Sequence, residues 1–477
     1  MQGNHGWHGL RPSAVAWRSG ALPMRGAPEW MVGGPNCFRW VFAMAGQRCD
    51  EYSGRKTPNH DLGEDCVKVN VLLATYWYIP HVGGVDTYIG LLKKRFEKLG
   101  HHVDILAHHP DMTKIYMVNT GETLEKSKIK DIVYDKVYEY YEKNFPRVDE
   151  WIRWREIERY TYELASVAFG LRRYDIIHTQ DIVSTRAIHR VKPPNVRHVA
   201  TIHGLLASEH IIAGDIESKE SLKWSFVSAE ERYGAVSADE TILPTEWLLR
   251  ELTGNFGVPH RGLHVIPYGM DSARFLRANK EEPRDVTIDP KQKYIVCPAR
   301  LTPVKGHQYL LEALSRLKDV RHDFVCWIVG DGQSETMLKD MARSLELGRH
   351  VVFLGARKDV GALLRNAYAT VLPSVQDNLP FVIMESQVTG TPVVASAVGG
   401  IPEMIQHGRT GLLFENKNSV QLFEMLNMLL SDPHLRASLS ANGRNWGASQ
   451  WSVDTLVGKT LRVYDKAMSS PSRQTRR

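Results

Sequence analysis

Tyr294-Ile-Val-Cys297-Pro-Ala-Arg300-Leu-Thr-Pro-Val-Lys305-Gly306 is the stretch on which the fold turns. Four apolar residues read as a buried strand, Pro298 breaks the run, and His307 to Lys318 follows with helical spacing. A strand that enters a helix through a short loop is the unit from which parallel sheets are built. Two cations occupy that loop. Arg300 presents the planar fork that grips phosphate oxygens in pairs, and Lys305 adds a point charge five residues on. Both stand near a helix N-terminus, which itself favours anions. Taken alone, they would read equally well as solvated surface charges.

Toward the C-terminus the alternation continues. Strands are expected at Phe324–Val329, Val351–Leu354, Ala369–Leu372 and Pro392–Ala395, with helices near 418–431 and 434–446 and a last one from Trp451 to Ala467. Toward the N-terminus, the polar segment 278–285 reads as a linker. Before it lies another alternation. Val67–Thr75 is a buried-strand run, Pro80-His-Val-Gly83-Gly84 a loop, Val85–Leu99 a helix stopped by Gly100, and Val103–Ala107 the next strand. Further strands are expected at Asp175–His178, Val199–Ile202, Thr241–Leu243 and Leu263–Ile266. Residues 111–165 are charged and aromatic and are expected to be an inserted helical pair, with Tyr134, Tyr138, Tyr140, Tyr141, Trp151 and Trp154 packed inward or forming an acceptor- or membrane-facing flap.

These readings predict an α/β chain of two Rossmann-like domains facing a central cleft, since ligands of such sheets bind beyond the carboxyl ends of the strands. The expected domains are 66–267 and 268–450, with 451–467 a closing helix, 1–65 a poorly ordered extension and 468–477 a disordered tail. The extension holds fifteen Gly plus Pro residues and four tryptophans, which keeps a docking role open.

The bulk composition agrees with a globular protein. The chain has 477 residues, 43% of them hydrophobic and 24% charged. A net charge of +6 suits anionic small molecules, an anionic membrane or plain solubility, and selects none. Nucleic-acid binding would need a localised basic and aromatic patch, which is absent. The five cysteines (Cys37, Cys49, Cys66, Cys297 and Cys326) are odd in number and widely spaced. That argues against a disulfide framework or a zinc site and for a reducing cytoplasm. No apolar run reaches the ~20 residues of a bilayer span. Peripheral association with the inner face of the membrane stays open.

A second group of residues carries chemistry. In Pro373-Ser-Val-Gln-Asp377-Asn-Leu-Pro-Phe-Val-Ile-Met-Glu385, Asp377 falls in a loop after a strand and Glu385 on the following helix. A loop acid beside free N–H groups can grip sugar hydroxyls, and a helix acid can accept from a ribose diol. Gly399 and Gly400 close a strand–turn–helix and allow backbone to approach a ligand. Gly83 and Gly84 sit in the first strand-to-helix loop, a candidate phosphate contact. His203 ends a strand and could donate to a sugar or phosphate. The nicotinamide fingerprint G-x-G-x-x-G is missing.

In this order the pieces resemble a known family. Residues from about 67 to 467 are similar to the family-4 glycosyltransferases, with the GT-B fold. The resemblance rests on Gly83-Gly84, Asp175-Ile-Ile-His178, Thr201-Ile-His203-Gly204, Val265-Ile-Pro-Tyr-Gly-Met-Asp271, Arg300 with Lys305-Gly306, Val329-Gly-Asp-Gly332, Phe353-Leu-Gly355, Asp377-x7-Glu385, and Gly399-Gly-Ile-Pro-Glu403. It implies a retaining enzyme of the hexosyltransferase type, working in cell-envelope or polysaccharide synthesis. It would move a sugar from a UDP- or GDP-sugar to a sugar, lipid or glycan acceptor, with no cofactor and no metal. Arg300 and Lys305 would hold the diphosphate, Glu385 the ribose, and Asp377 with Asn378, Leu379 and Pro380 the donor sugar. His203 would contact the sugar or its phosphate, Gly84 would back the diphosphate, and Asp331 and Arg357 would border the base. Two departures stand out: the family's usual first carboxylate is Glu where this chain has Asp377, and its usual Gly-Phe-Gly is replaced by Asn378-Leu379-Pro380. A sugar-nucleotide epimerase on the same fold and a non-catalytic nucleotide-sugar-binding subunit are the alternatives.

Overall fold

The computed structural model describes residues 68–81, 83–283 and 285–469. The expectation for 1–65 lies outside them, as does that for 470–477; Met468 and Ser469, expected in the disordered tail, instead continue the closing helix. The first part of the chain runs β1 (Asn70–Tyr78), α1 (Gly84–Lys98), β2 (His102–His108), β3 (Lys114–Met117), β4 (Thr123–Glu125), α2 (Ser127–Asn144) and α3 (Glu150–Ala168). It continues β5 (Ile176–Thr179), α4 (Ile182–Val191), β6 (Arg197–Thr201), α5 (Leu206–Ala213), α6 (Leu222–Ser237), β7 (Glu240–Leu243), α7 (Glu246–Gly254) and β8 (Leu263–Val265). These eight strands form one sheet in the order β4-β3-β2-β1-β5-β6-β7-β8, antiparallel only at β3 and β4.

The second part begins with α8 (Ser272–Ala278), β9 (Lys293–Pro298), α9 (His307–Lys318), β10 (Phe324–Val329), α10 (Glu335–Ser344), β11 (Val351–Gly355) and α11 (Val360–Asn366). Then come β12 (Ala369–Leu372), α12 (Phe381–Thr389), β13 (Val393–Ser396), α13 (Ile401–Met404), β14 (Leu412–Phe414), α14 (Ser419–Ser431), α15 (Pro433–Gln450) and α16 (Val453–Ser469). Its six parallel strands are ordered β11-β10-β9-β12-β13-β14. The two sheets give the GT-B architecture. Both sheets belong to one contiguous unit.

The strands of the second sheet are buried because helices cover both faces, and so they read as unbroken apolar runs. The amphipathic α9 turns Leu310, Leu311, Leu314 and Leu317 onto it. Cys297 and Cys326 are free, buried core residues.

The segment expected to be wholly helical, 111–165, differs. β3 and β4 form a hairpin that widens the first sheet before α2 and α3 begin. Ile115 and Met117 alternate inward, and the turn at Asn119-Thr120-Gly121, with Gly121 at φ +74°, reverses the chain. The charged residues around this short signal mask it. The inward packing of aromatics holds for Tyr141 but not for Tyr134 or Trp154, which are exposed.

Two crossings join the halves. Met270 N–H donates to the Trp451 carbonyl at 3.0 Å, and a Cβ at Gly269 would meet Ser452 O at 2.5 Å, so the outgoing and returning strands of chain lie side by side. After the second crossing, α16 packs on α1, β6 and β7. Its Tyr464 hydroxyl lies 2.8 Å from His178 Nδ1.

Candidate active site

In the second sheet the chain builds outward from β9 to β11, then returns to β12 on the other side of β9. That reversal opens a crevice at the carboxyl ends of β9 and β12, where ligands of open α/β sheets bind. Arg300 and Lys305 follow β9, and Asp377 follows β12. Residues 72 positions apart thus become neighbours: Lys305 Nζ lies 2.6 Å from Asp377 Oδ2, which also accepts from Ser374 Oγ at 3.1 Å. Among the described residues the exposed Arg300 guanidinium has no hydrogen-bonding partner.

Backbone without side chains makes this crevice possible. Gly306 is at φ +65°, and a Cβ there would stand 2.0 Å from Pro373 O. Gly399, at φ +57°, would place one 1.7 Å from Asp377 O. The backbone that presses on Gly399 and Gly400 is therefore the chain's own 377–378 loop. The Gly400 N–H donates to Asp377 O at 3.3 Å. In this structure these glycines seat the Asp377 loop.

The loop leads into α12, whose N-cap Pro380 supplies no side-chain cap, so the first-turn N–H groups carry their dipole toward the loop. Asn378 and Leu379 point into the protein. Asn378 Nδ2 donates to His203 O at 2.9 Å and Oδ1 accepts from Thr245 Oγ1 at 2.5 Å, both in the first half of the chain. Leu379 joins the apolar cluster beneath. Glu385, one turn into α12, is half-buried, and its carboxylate has no hydrogen-bonding partner among the described residues. Burial raises its carboxyl to about 7.

The first sheet supplies the opposite wall. His203 follows β6. Its Nδ1 contacts the Tyr268 hydroxyl and its Nε2 lies 3.2 Å from Gln180 Oε1. Gln180 is oriented by its own amide, which donates to His178 O at 3.2 Å. Burial lowers His203 to about 3, so the ring is neutral, with the Nε2 proton on the Gln180 side. Gly83 and Gly84 open α1. A Cβ on Gly84 would lie 3.5 Å from the Phe381 ring of α12, so the two helix starts meet across the cleft. Glu403 spans the same boundary, accepting from Glu246 N at 3.0 Å and Trp247 N at 2.6 Å and so capping α7.

Asp331 follows β10 and is exposed. Its carbonyl accepts from Leu301 N at 2.7 Å, which ties the 330–332 turn to the Arg300 loop. Arg357, after β11, is paired with Asp359 at 2.6 Å. Among the described residues no three His, Cys, Asp or Glu side chains gather as metal ligands. None of their helices is long and apolar enough to cross a membrane. A groove of about 400 Å³ between α10 and β11, lined by Lys339, Arg343 and Phe353, contains none of the residues above.

Sequence reasoning passed over two residues. His81, in the loop before Gly83, has a buried Nδ1 without a partner among the described residues, and burial lowers its affinity for a proton. Glu209 lies on α5, which packs against the Pro303–Lys305 turn of the other half. The only signal for Glu209 was its place just beyond the carboxyl end of β6.

The comparisons agree with this geometry. Residues 82–274 match the family described as Glycosyltransferase Family 4, and residues 278–446 match Glycosyl transferases group 1. An uncharacterized glycosyltransferase of Methanocaldococcus jannaschii is 26% identical over 85% of this chain and 100% of its own length. Among solved structures, the sucrose-phosphate synthase of Thermosynechococcus elongatus aligns at TM-score 0.65 and 18% identity, covering 84% of this chain and 100% of that one. Anabaena HepE in complex with UDP-glucose aligns at TM-score 0.57 and 18% identity, covering 83% and 100%. With the two sheets and the crevice between their strand ends, these matches define a GT-B glycosyltransferase. The chain belongs to glycosyltransferase family 4.

Proposed function

We propose that this enzyme transfers a sugar from a nucleoside-diphosphate sugar to an acceptor hydroxyl, with retention of anomeric configuration and without a metal ion. The observation that carries the proposal is the pair Arg300 and Lys305 at the reversal of the second sheet, beside the uncapped start of α12. As the bond between the anomeric carbon and the phosphate oxygen breaks, its electrons leave with the diphosphate. Two cations and a helix N-terminus are suited to stabilise that growing charge in place of a metal. The acceptor oxygen bonds to the anomeric carbon, and its proton passes to the leaving phosphate oxygen. No side chain has to serve as a covalent nucleophile. Asp377, held by Lys305, is suited to a donor-sugar hydroxyl, and Glu385 to the ribose diol. Bound UDP-glucose in the HepE complex supports a nucleotide-sugar donor.

The test is to incubate the protein with UDP- and GDP-sugars and a panel of acceptors, with and without EDTA, and to read the product linkage by NMR. Arg300→Ala and Lys305→Ala should each lower the transfer rate by roughly 10²- to 10³-fold, the usual loss when a preorganised donor to a developing anion is removed. Wild-type rates in both variants would overturn the assignment. Altered free nucleotide sugar with no acceptor present would favour an epimerase.

A further inference from the structure

We propose that Glu209 binds the acceptor, taking a hydrogen bond from its reacting or neighbouring hydroxyl, and that it selects uncharged hydroxyl-bearing acceptors over phosphorylated ones. This rests on the transferase reading above.

Glu209 is half-buried on the wall opposite the cation pair. Its Oε1 lies 3.6 Å from the place where a Cβ on Gly204 would stand, so the carboxylate rests against the residue next to His203. It has no hydrogen bond or ion pair among the described residues. A half-buried carboxylate with no donor in the protein keeps its accepting capacity for whatever enters the cleft. Burial raises the Glu209 carboxyl, Lys305 and Arg300 pull it back down, and Asp377 pushes it up. Those are the groups of the proposed donor site, so Glu209 faces the place where transfer occurs.

Its position is built rather than incidental. Glu231, buried beneath, accepts from Ala207 N at the start of α5 at 2.8 Å. Gln376, from the Asp377 loop, donates to Leu205 O at 3.2 Å. His210 is held by Arg155 at 3.0 Å and Asp215 at 2.8 Å. Three anchors thus fix a short helix that holds one unpartnered, half-buried carboxylate toward the cleft.

The charges decide which substrate it serves. Lys305 is engaged by Asp377, and the donor diphosphate would occupy both cations, so no cation remains to pair with Glu209. What a carboxylate can still accept there is a hydroxyl proton, while a phosphate on the acceptor would meet like charge in a cleft that screens poorly.

The experiment compares the wild type with Glu209→Gln and Glu209→Ala. Glycerol, methyl α-glucoside and myo-inositol serve as neutral probes, and glycerol 3-phosphate and inositol phosphate as anionic ones. The neutral probe that the wild type glycosylates best is carried forward. Glu209→Gln should raise its KM roughly ten- to hundredfold, leave donor KM and UDP or GDP affinity unchanged, and narrow the preference over the phosphorylated counterpart. An unchanged acceptor KM, a rise in donor KM matching that in acceptor KM, or a wild-type preference for the phosphorylated acceptor would each overturn the inference. Absence of any transfer by the wild type would instead strike the transferase reading. Unchanged nucleotide affinity shows that the variants fold.

Discussion

Replacing Glu385 with Gln should do two opposite things, and their separation tests how the site is built. Burial raises this carboxyl from the ordinary 4.5 to about 7. The folded protein therefore holds a proton that the unfolded chain gives up between those values. The contribution is fully present below pH 4.5 and is lost as the pH rises through 7. At ~1.4 kcal/mol per tenfold change in proton affinity, the gap bounds the cost of the ionised form at about 3 kcal/mol by pH 8. Partial exposure to the cleft brings the expected figure to roughly 1–2 kcal/mol. Glu385→Gln removes that cost, so Tm at pH 8 should rise by a few degrees while Tm at pH 5 barely moves. Function should change the other way. A carboxylate that accepts from a ribose diol must be ionised, so UDP or GDP affinity in the wild type should strengthen from pH 6 to 8 with release of a proton. The variant should lose roughly ten- to hundredfold in affinity and the pH dependence with it. Thermal melts across pH, with calorimetry in buffers of different ionisation enthalpy, read both effects. A variant less stable at pH 8, or one that binds nucleotide like the wild type, would refute the reasoning.

Other expectations follow from single contacts. Gly399→Ala forces a Cβ to 1.7 Å from Asp377 O at φ +57°, and should cost roughly 3 kcal/mol or more in urea unfolding; an unchanged midpoint would contradict the packing described. Glu403→Ala removes both acceptors from the start of α7, at about 1–2 kcal/mol, and should speed amide exchange at Glu246 and Trp247 more than elsewhere. His203, lowered to about 3, should show ring NMR shifts that do not titrate between pH 5 and 9, and a midpoint near 6.5 would place it in water rather than between Tyr268 and Gln180.

Much of this site could be read from the chain because strand, loop and helix follow one another with local signals. The loop holding Arg300 and Lys305 is framed by an apolar run and a helical period, and Asp377 and Glu385 by another such pair. What local signals omit is which strands become neighbours. The Lys305–Asp377 ion pair exists because β12 lies beside β9, a placement set by the reversal of strand order. Gly399 and Gly400 show the same limit: a glycine reports that something comes close, and the fold shows that the 377–378 backbone does. The β3–β4 hairpin was hidden by surrounding charges, and Glu209 is one acid on a short helix with nothing in its neighbours to distinguish it.

The loop where this chain departs from its family's usual pattern also bears on how the two halves cooperate. A Gly-Phe-Gly sequence would contribute no polar side chain at its first position. Asn378 contributes both ends of an amide, one to His203 O and one to Thr245 Oγ1. Thr245 is in turn the side-chain cap of α7: the hydroxyl that donates to Asn378 accepts from Leu248 N at 3.1 Å. Glu403, four residues past Gly399, caps that helix from outside. The start of α7 is therefore gripped at two points, by the loop that follows β12 and by α13, while His203 O ties that loop to the end of β6. Any opening of the cleft must break these contacts together, because they converge on one loop and one helix start. Asp377, which that loop carries, then reaches its place beside Lys305 through an arrangement in which both halves take part.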